Sequence, residues 1–261
     1  MTTMDFIIAL FCRVDDHLQD LPKPPQATLW PSEVVTLGLL HALKGVGNRA
    51  LYRWRARDDR PLFPHLPERT RLFRRFMTHQ DWTQRFLAAP TLLGVIDPYG
   101  LELLHPIRAG RSFRQIGRKG LSNHRGMVGG KLCLLLNPFG LVVAWACDTA
   151  QVHDSTFQPR IRQFADHLLI LSALAFHAAE GDPANLKLCE RGEWNERMRI
   201  ETGLSMRTWV RHFKQVMHRV WESFEARLAF TLAAFNVLVP WHGLPADKDG
   251  VVSLSIAEFS L

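Results

Sequence analysis

The sequence lacks the features that define several large classes of protein. It has only four cysteines in 261 residues, Cys12, Cys133, Cys147 and Cys189, and their spacing fits neither a zinc site nor a disulfide framework. We therefore expect them to be small buried hydrophobes. No apolar run approaches the roughly 20 residues that a membrane-spanning helix needs. No Walker A motif and no G-x-G-x-x-G sequence is present, so a nucleotide-dependent or flavin enzyme has no support.

The first residues do not have the charge pattern of a secretory signal. The segment MTTMDFIIALFCRVDDHL carries acids both before and after a short apolar stretch, whereas a signal peptide begins with a basic region. We therefore expect the protein to be cytoplasmic.

Positive charge is what the chain has in excess. Its formal net charge is +7 and its isoelectric point is about 9.6, which favours an anionic partner such as nucleic acid or an acidic membrane. With 47% hydrophobic and 22% charged residues, the composition is that of an ordinary globular protein. The length suits one large domain, or a core domain with a smaller one.

Residues 1–90 have the pattern of a helical region. Pro31 and Ser32 mark a helix start, apolar residues follow at helical spacing, and Gly45 marks the end. Two further segments before residue 90 carry many arginines. This composition suits a small module for DNA binding or dimerisation, and an ordinary helical subdomain with a solvated basic face is an equal alternative.

From residue 91 the pattern changes to short apolar runs, which predict strands. The first run is followed by Pro98-Tyr99-Gly100, which predicts a turn. Residues 131–148 predict a strand–turn–strand pair, and a long helix is predicted from about 192 to 239, ended by Pro240. Strands followed by long helices predict an α/β fold with helices that cover the sheet. The predicted domains are a helical region at 1–90, an α/β domain at 91–240 and a tail at 241–261.

Two acidic residues stand where a catalytic site could use them. Asp97 ends the apolar run LLGVID, and a carboxylate at the tip of a buried strand needs a cation, hydrogen-bond donors or water. Glu201 lies on a predicted helix, on the same face as Trp194 and Arg197. Each acid also has an ordinary explanation without a catalytic role. Asp before proline also starts turns, and Glu201 could form a surface salt bridge with Arg197.

Between these acids the chain is basic. No Asp or Glu occurs between Leu103 and Cys147, and glycines separate the arginines and lysines. Such a stretch predicts a mobile, glycine-spaced loop that follows nucleic-acid phosphates. A second basic stripe is predicted on one face of the later helix. The candidate DNA-binding residues of these two stretches are Arg108, Arg111, Arg114, Arg118, Lys119, Arg125, Arg207, Arg211 and Lys214.

With these residues in view, the chain resembles a known family. Gly94-Val95-Ile96-Asp97, Trp194-x-x-Arg197-x-x-x-Glu201 and the VHDSTF segment at 152–157 look like bacterial insertion-sequence transposases with an RNase H-like catalytic core, often called DDE transposases. The stretches GDPANLKLCERGEWNERMRIET and HRVWESFEARLAFTLAAFNVLV are also similar to members of that group. The resemblance covers roughly residues 90–240. Most of the group has tyrosine where this chain has Trp194.

The resemblance implies a fold and a metal site. The fold is an RNase H-like mixed five-stranded sheet flanked by helices. Asp97, Glu201 and a second Asp at the end of the fourth strand would bind two Mg²⁺ (or Mn²⁺) ions, which are hard cations that take oxygen ligands. The ions would activate the attacking water or 3′-hydroxyl and stabilise the leaving oxygen of the scissile phosphate. Arg197 would hold Glu201 in position or contact the DNA backbone.

The second Asp is missing from its expected position. The family pattern places it at Ala173, within HLLILSALAFHAAEGD at 167–182, and alanine cannot bind a metal ion. Three interpretations stay open. The chain is an inactive version of an active transposase, another acid (Asp148, Asp154 or Asp182) replaces the missing one, or the alignment is displaced. We favour the first, with Asp154 as an N-terminal cap or, like Asp148, as a group that supports the metal ligands.

The function implied by the resemblance is DNA transposition, the recombination reaction that cuts insertion-sequence ends and joins their 3′-hydroxyls to target DNA. We expect this chain to be inactive because Ala173 replaces the second Asp. The implied partners are the terminal inverted repeats and the target DNA, bound by a homodimer or a larger assembly on the bacterial nucleoid. A non-catalytic DNA-binding relic of a transposase is the alternative. A metal-dependent nuclease of the same fold, which never joins strands, is a third candidate.

Overall fold

The computed structural model describes residues 2–111, 115–122, 125–172, 184, 186–188 and 220–242. These residues divide into two compact units. The helical unit contains residues 2–86 and 222–238, and the sheet unit contains the described residues from 87 to 221 together with 239–242. No helix in these described ranges is long and apolar enough to cross a membrane.

Along the chain, four helices come first, then strands interrupted by a short helix, and then the last described helix. The helices are α1 (Thr3–Asp16), α2 (Pro31–Lys44), α3 (Asn48–Asp58), α4 (Arg69–Thr78), α5 (Gln158–Arg162) and α6 (Trp221–His242). Short 3-10 helices occupy Gln80–Phe86, Pro106–Arg108 and Asp154–Phe157. The strands are β1 (Leu93–Leu104), β2 (Arg118–Ser122), β3 (Arg125–Leu136), β4 (Val142–Thr149), β5 (Leu169–Ser172) and β6 (Leu186–Leu188).

Local signals in the sequence explain where the first helices begin and end. Thr2 and Asp5 form a capping box on α1, in which the Thr2 hydroxyl accepts from the Asp5 N–H at 3.1 Å. Pro31 is the first residue of α2, and Gly45 ends this helix in a left-handed conformation with φ of 63°. The helix predicted between these two residues is therefore confirmed.

The core of the helical unit forms between α6 and the earlier helices. Phe224 and Phe230 of α6 are among the largest fully buried side chains of the unit. A Cβ atom on Gly38 of α2 would lie 2.4 Å from the Phe230 ring, so only glycine lets that ring approach. The Phe76 ring of α4 packs on the same ring, with 5.3 Å between centroids. Aromatic packing therefore ties α2, α4 and α6 together.

A buried arginine also connects α6 to α2 within this unit. Arg227 Nη1 lies 2.6 Å from His41 Nε2 and donates to the carbonyl oxygen of Val46 at 3.3 Å. Burial lowers the pKa of Arg227 to about 10, so the side chain stays protonated at neutral pH. His41 Nε2 also lies 3.1 Å from the carbonyl oxygen of Val46, so the three groups form one buried polar contact between α6, α2 and the residues that follow α2.

The described residues of the sheet unit form a mixed sheet of six strands. The order is β2-β3-β1-β5-β6, and β4 pairs with the part of β3 that β2 leaves free. β1 pairs antiparallel with β3 and parallel with β5, while β5 pairs parallel with β6. The predicted α/β class is confirmed. The sheet has six strands rather than five, because the segment at 118–122 pairs with β3.

One face of the sheet carries a buried core. Ile96 of β1, Leu135 of β3 and Ile170 of β5 belong to one cluster of buried side chains, with Phe157 and Ile161 from the 3-10 helix and α5 packed against them. Each of these five residues is at most 3% exposed. The helical turns at 154–162 therefore cover this face.

Two sequence-based expectations about proline were wrong. The turn predicted at Pro98-Tyr99-Gly100 is absent, and β1 continues from Leu93 to Leu104 with Pro98 opposite Cys133. Within the described residues, pairing with β5 ends at Ile96, so Pro98 lies in the part of β1 that pairs only with β3. Tertiary pairing overrides the local turn preference there. Pro240 likewise does not end α6, which continues to His242. Residue 220, inside the long predicted helix, is not helical.

Candidate functional site

The residue that the sequence singles out, Asp97, lies on the central strand of the sheet. Its backbone pairs with Leu134 of β3, and its neighbour Ile96 pairs in parallel with Ser172, the last residue of β5. Ile96 is 1% exposed and Ser172 is fully buried. The residues that follow Ile96 and Ser172 in the sequence are Asp97 and Ala173.

Packing fixes the relative position of these two strands. A Cβ atom on Gly94 would lie 2.5 Å from Leu168 Cδ1, so the glycine allows Leu168, just before β5, to pack closely against β1. The N–H of Leu169 donates to the carbonyl oxygen of Leu92 at 2.8 Å and starts the parallel ladder. The register between Ile96 and Ser172 is therefore set by a close backbone approach and by the buried core beneath it.

Several predicted site residues lie outside the described residues. They include Ala173, Asp182, Arg197 and Glu201. For Asp97 the structure describes the backbone but not the side chain. Among the residues that the structure describes, no cluster of three or more His, Cys, Asp or Glu side chains could hold a metal ion. Tyr99, two residues beyond Asp97, is half-buried, and burial raises the pKa of its phenol.

Asp154, a candidate to replace the missing acid, makes a partly buried ion pair. Its carboxylate accepts from Lys131 Nζ at 2.9 Å, and the side chains of Lys131 and Asp154 are only 13% and 19% exposed. Lys131 Nζ also donates to the carbonyl oxygen of Val152 at 2.9 Å. Asp154 was also expected to cap a helix, and this was wrong. His153 caps the 3-10 helix, and its ring accepts from the N–H of Ser155 at 3.3 Å.

Asp148, the other described candidate, bonds to its own neighbour. Its carboxylate accepts from the Thr149 N–H at 2.6 Å, as in a local turn. In the sheet, the backbone of Asp148 lies opposite Lys131 of β3, and Lys131 lies opposite Gly100 of β1. Gly100 is three residues beyond Asp97, about 10 Å along a strand at roughly 3.3 Å per residue. Asp148 and Lys131 thus share a level of the sheet that differs from that of Asp97.

The basic stretch after β1 is largely sheet, so the prediction of a mobile loop was wrong for the described residues. Arg118 and Lys119 lie on β2, and Arg125 begins β3. Gly117, Gly120 and Gly129 allow close packing, whereas nothing lies within 4 Å of a Cβ atom added to Gly110 or Gly126. A Cβ atom on Gly129 would lie 1.8 Å from the carbonyl oxygen of Leu101, a contact that no other residue could make.

Four of the described cations of this stretch lie on the surface, whereas Lys131 is only 13% exposed and pairs with Asp154. Arg108, Arg111, Arg118 and Lys119 are exposed, and none of them forms an ion pair with a described residue. Four unpaired positive charges on one unit are available to an anionic partner. The other candidate DNA-binding residues, or their side chains, fall outside the described residues: Arg114, Arg125, Arg197, Arg207, Arg211 and Lys214.

Helix α3 of the helical unit has a basic surface of its own. Arg49, Arg53 and Arg57 are exposed on it, whereas Arg55 is fully buried and pairs with Asp59. Sequence patterns did not distinguish this buried arginine from its exposed neighbours. The spacing of four residues between Arg55 and Asp59 is the signal that could have identified the pair.

Comparison with protein-family models, curated proteins and solved structures found no match to this chain.

Proposed function

We propose that the protein is a DNA transposase of the DDE type with an RNase H-like core, and that this chain is inactive because Ala173 stands where the second catalytic Asp is required. The observation that carries the proposal is the parallel pairing of Ile96 with Ser172. The residues that follow them in the sequence are Asp97 and Ala173. A shared metal site needs its first two acids on adjacent strands at the same level, and this register is consistent with that requirement.

The order of strands also supports an RNase H-like fold. Strands β4, β3 and β1 pair antiparallel, and β5 and β6 continue the sheet in parallel from the other edge of β1. The first strand is thereby central, with its acid at position 97. Of the six strands, β2 is the one that the expected five-stranded sheet lacks.

The acids present do not make a complete two-metal site. Asp97 and Glu201 would each contribute one carboxylate, whereas the methyl group of Ala173 contributes no ligand. Asp154 does not supply the missing charge, because its carboxylate already pairs with Lys131. No metal-dependent step is therefore expected of this chain. Its own residues support DNA binding through the exposed cations of β2 and of the segment before it.

Restoring the acid tests the proposal. The Ala173→Asp variant should cleave a duplex that carries the DNA flanking the reading frame, in the presence of Mn²⁺ or Mg²⁺. Ala173→Asn is the matched control, because it adds a similar side chain without the charge and should stay inactive. Adding Asp97→Asn to Ala173→Asp should abolish the restored activity. A folded Ala173→Asp protein that shows no cleavage would count against a transposase.

The alternative is a DNA-binding relic of a transposase, which Ala173 itself favours. It predicts salt-dependent binding of the flanking inverted repeats by the unaltered chain. It also predicts no metal-dependent cleavage after Ala173→Asp. The two functions therefore give the same result in the binding assay and opposite results in the cleavage assay.

A further inference from the structure

The helical unit contains an open cavity of about 400 Å³ beside α4. Arg71 and Arg75 of α4 line it, together with His79 and Trp82, which follow the helix. Arg71, Arg75 and His79 are spaced by four residues, so they lie along one side of the helix. Apolar side chains such as Leu29 complete the lining. A cavity of this volume is large enough for a small organic ligand.

The two arginines give this cavity a positive charge. None of the described residues that line it is acidic. The Arg71 side chain forms no ion pair with a described residue, and Arg75 Nη1 has only a long hydrogen bond of 3.4 Å to Thr28 Oγ1. Glu68 accepts from the backbone N–H groups of Thr70 at 2.9 Å and Arg71 at 3.3 Å, and so caps α4. The two guanidinium groups are therefore free to bind an anion.

A flat aromatic surface lies beside these charges. The rings of His79 and Trp82 are stacked, with 4.1 Å between centroids and 10° between planes. Burial, and then the charge of Arg75, lower the pKa of His79. The imidazole is therefore neutral at pH 7, and the stacked pair offers an uncharged surface. Planar bases stack on such surfaces, and arginines beside them bind the phosphates.

We propose that this cavity binds one nucleotide of a single-stranded nucleic acid, with its phosphate at Arg71 and Arg75 and its base against Trp82. The stacking surface makes a nucleotide a better fit than a simple inorganic anion, which would use the guanidinium groups alone. The proposal uses residues of the helical unit only, so it holds or fails independently of the proposed catalytic function.

The first experiment measures binding of a fluorescein-labelled octathymidylate to the full chain, by anisotropy in the presence of EDTA. Replacing Arg71 and Arg75 together with alanine should weaken binding about tenfold or more. The matched control replaces Arg69 and Arg74, two exposed arginines of the same helix that do not line the cavity. It removes the same charge and should weaken binding less than about threefold. Equal losses in the two double variants would overturn the proposal.

A second measurement isolates the base. An abasic strand of the same length and charge should bind about tenfold more weakly than octathymidylate, because stacking on Trp82 is lost. Equal binding of the two strands would overturn the stacking role. Thymidine monophosphate that binds as tightly as the strand would overturn the assignment to single-stranded nucleic acid and make a free nucleotide the ligand. Far-UV circular dichroism checks the fold of each variant, and glutamine replaces alanine at positions 71 and 75 if the first variant unfolds.

Discussion

Replacing Asp59 with asparagine should destabilise the helical unit severely, because it leaves a buried cation without its counter-charge. Arg55 is fully buried, and its guanidinium donates to the Asp59 carboxylate, whose side chain is 8% exposed. Within the described residues, Arg55 Nε and Nη2 have no hydrogen-bond partner. Burial lowers the pKa of Arg55, and the charge of Asp59 opposes that effect. The carboxylate is therefore the main compensation for a desolvated charge.

The size of the effect follows from what remains after the substitution. Removing one partner of a buried ion pair costs about 3–5 kcal/mol, because the other charge is left uncompensated. If Arg55 is first replaced by methionine, the site contains no buried cation. Asp59→Asn should then lower the free energy of unfolding by less than about 1 kcal/mol. The double-mutant cycle should thus give a coupling energy of about 2–4 kcal/mol.

The measurement is urea unfolding of the full chain followed by far-UV circular dichroism. Asp58→Asn is the control, because Asp58 pairs with Arg57 at the surface, where the Arg57 side chain is 79% exposed. That change should leave the unfolding midpoint nearly unaltered. The explanation fails if Asp59→Asn shifts the midpoint no more than Asp58→Asn does. It also fails if Asp59→Asn has the same effect with arginine and with methionine at position 55.

Two further substitutions test the sheet unit by the same unfolding measurement. Gly129→Ala should cost about 1–3 kcal/mol or more, because the new Cβ atom would lie 1.8 Å from the Leu101 carbonyl oxygen. Gly126→Ala, where nothing lies within 4 Å of the new atom, should have little effect, and equal effects would refute the packing role. Lys131→Met should cost about 1–3 kcal/mol, because it leaves the partly buried Asp154 carboxylate without its cation. An unchanged midpoint would show that this ion pair does not stabilise the sheet.

The parts of the fold that local chemistry controls were predictable from the sequence. Helix α2 begins at Pro31 and ends before Gly45, as its start and stop signals indicate. The strand–turn–strand pair around residues 137–141 was also predicted. There the Asn137 side chain accepts from the N–H groups of Phe139 and Leu141, and Gly140 has φ of 76°. Each of these signals acts within a few residues, so a single sequence reveals it.

Features that depend on distant partners were not predictable. Pro98-Tyr99-Gly100 has the chemistry of a turn, but pairing with β3 keeps it extended. Glycines in the basic stretch indicate mobility when only neighbours in sequence are considered. Gly129 is instead required by the backbone at Leu101. The contact of Arg227 with His41 joins residues 186 positions apart, and no local pattern indicates it.

Of the candidate site, only the two strands could be predicted from the sequence, because their pairing joins residues that are far apart in the chain. The apolar run before Asp97 indicated a buried strand, and Asp97 does lie on β1. The run before Ala173 indicated a second strand, and β5 ends at Ser172. The parallel pairing of these strands in register could not be derived from either run alone. It needed the resemblance to a family, and that resemblance stays a prediction for Glu201 and the cations around it.

Under the proposed function, the way in which the sheet is held explains how a transposase could lose its second catalytic Asp and keep its fold. β5 is positioned by Ile170 in the buried core and by the close approach of Leu168 to Gly94. Neither contact involves position 173. An ionised carboxylate at the end of a buried strand costs desolvation energy. Replacing it with alanine therefore does not lower the stability of the fold. Selection for folding alone would therefore not retain the acid. This makes Ala173→Asp an informative test, because the strands on which the restored carboxylate depends are held by contacts that the substitution leaves in place.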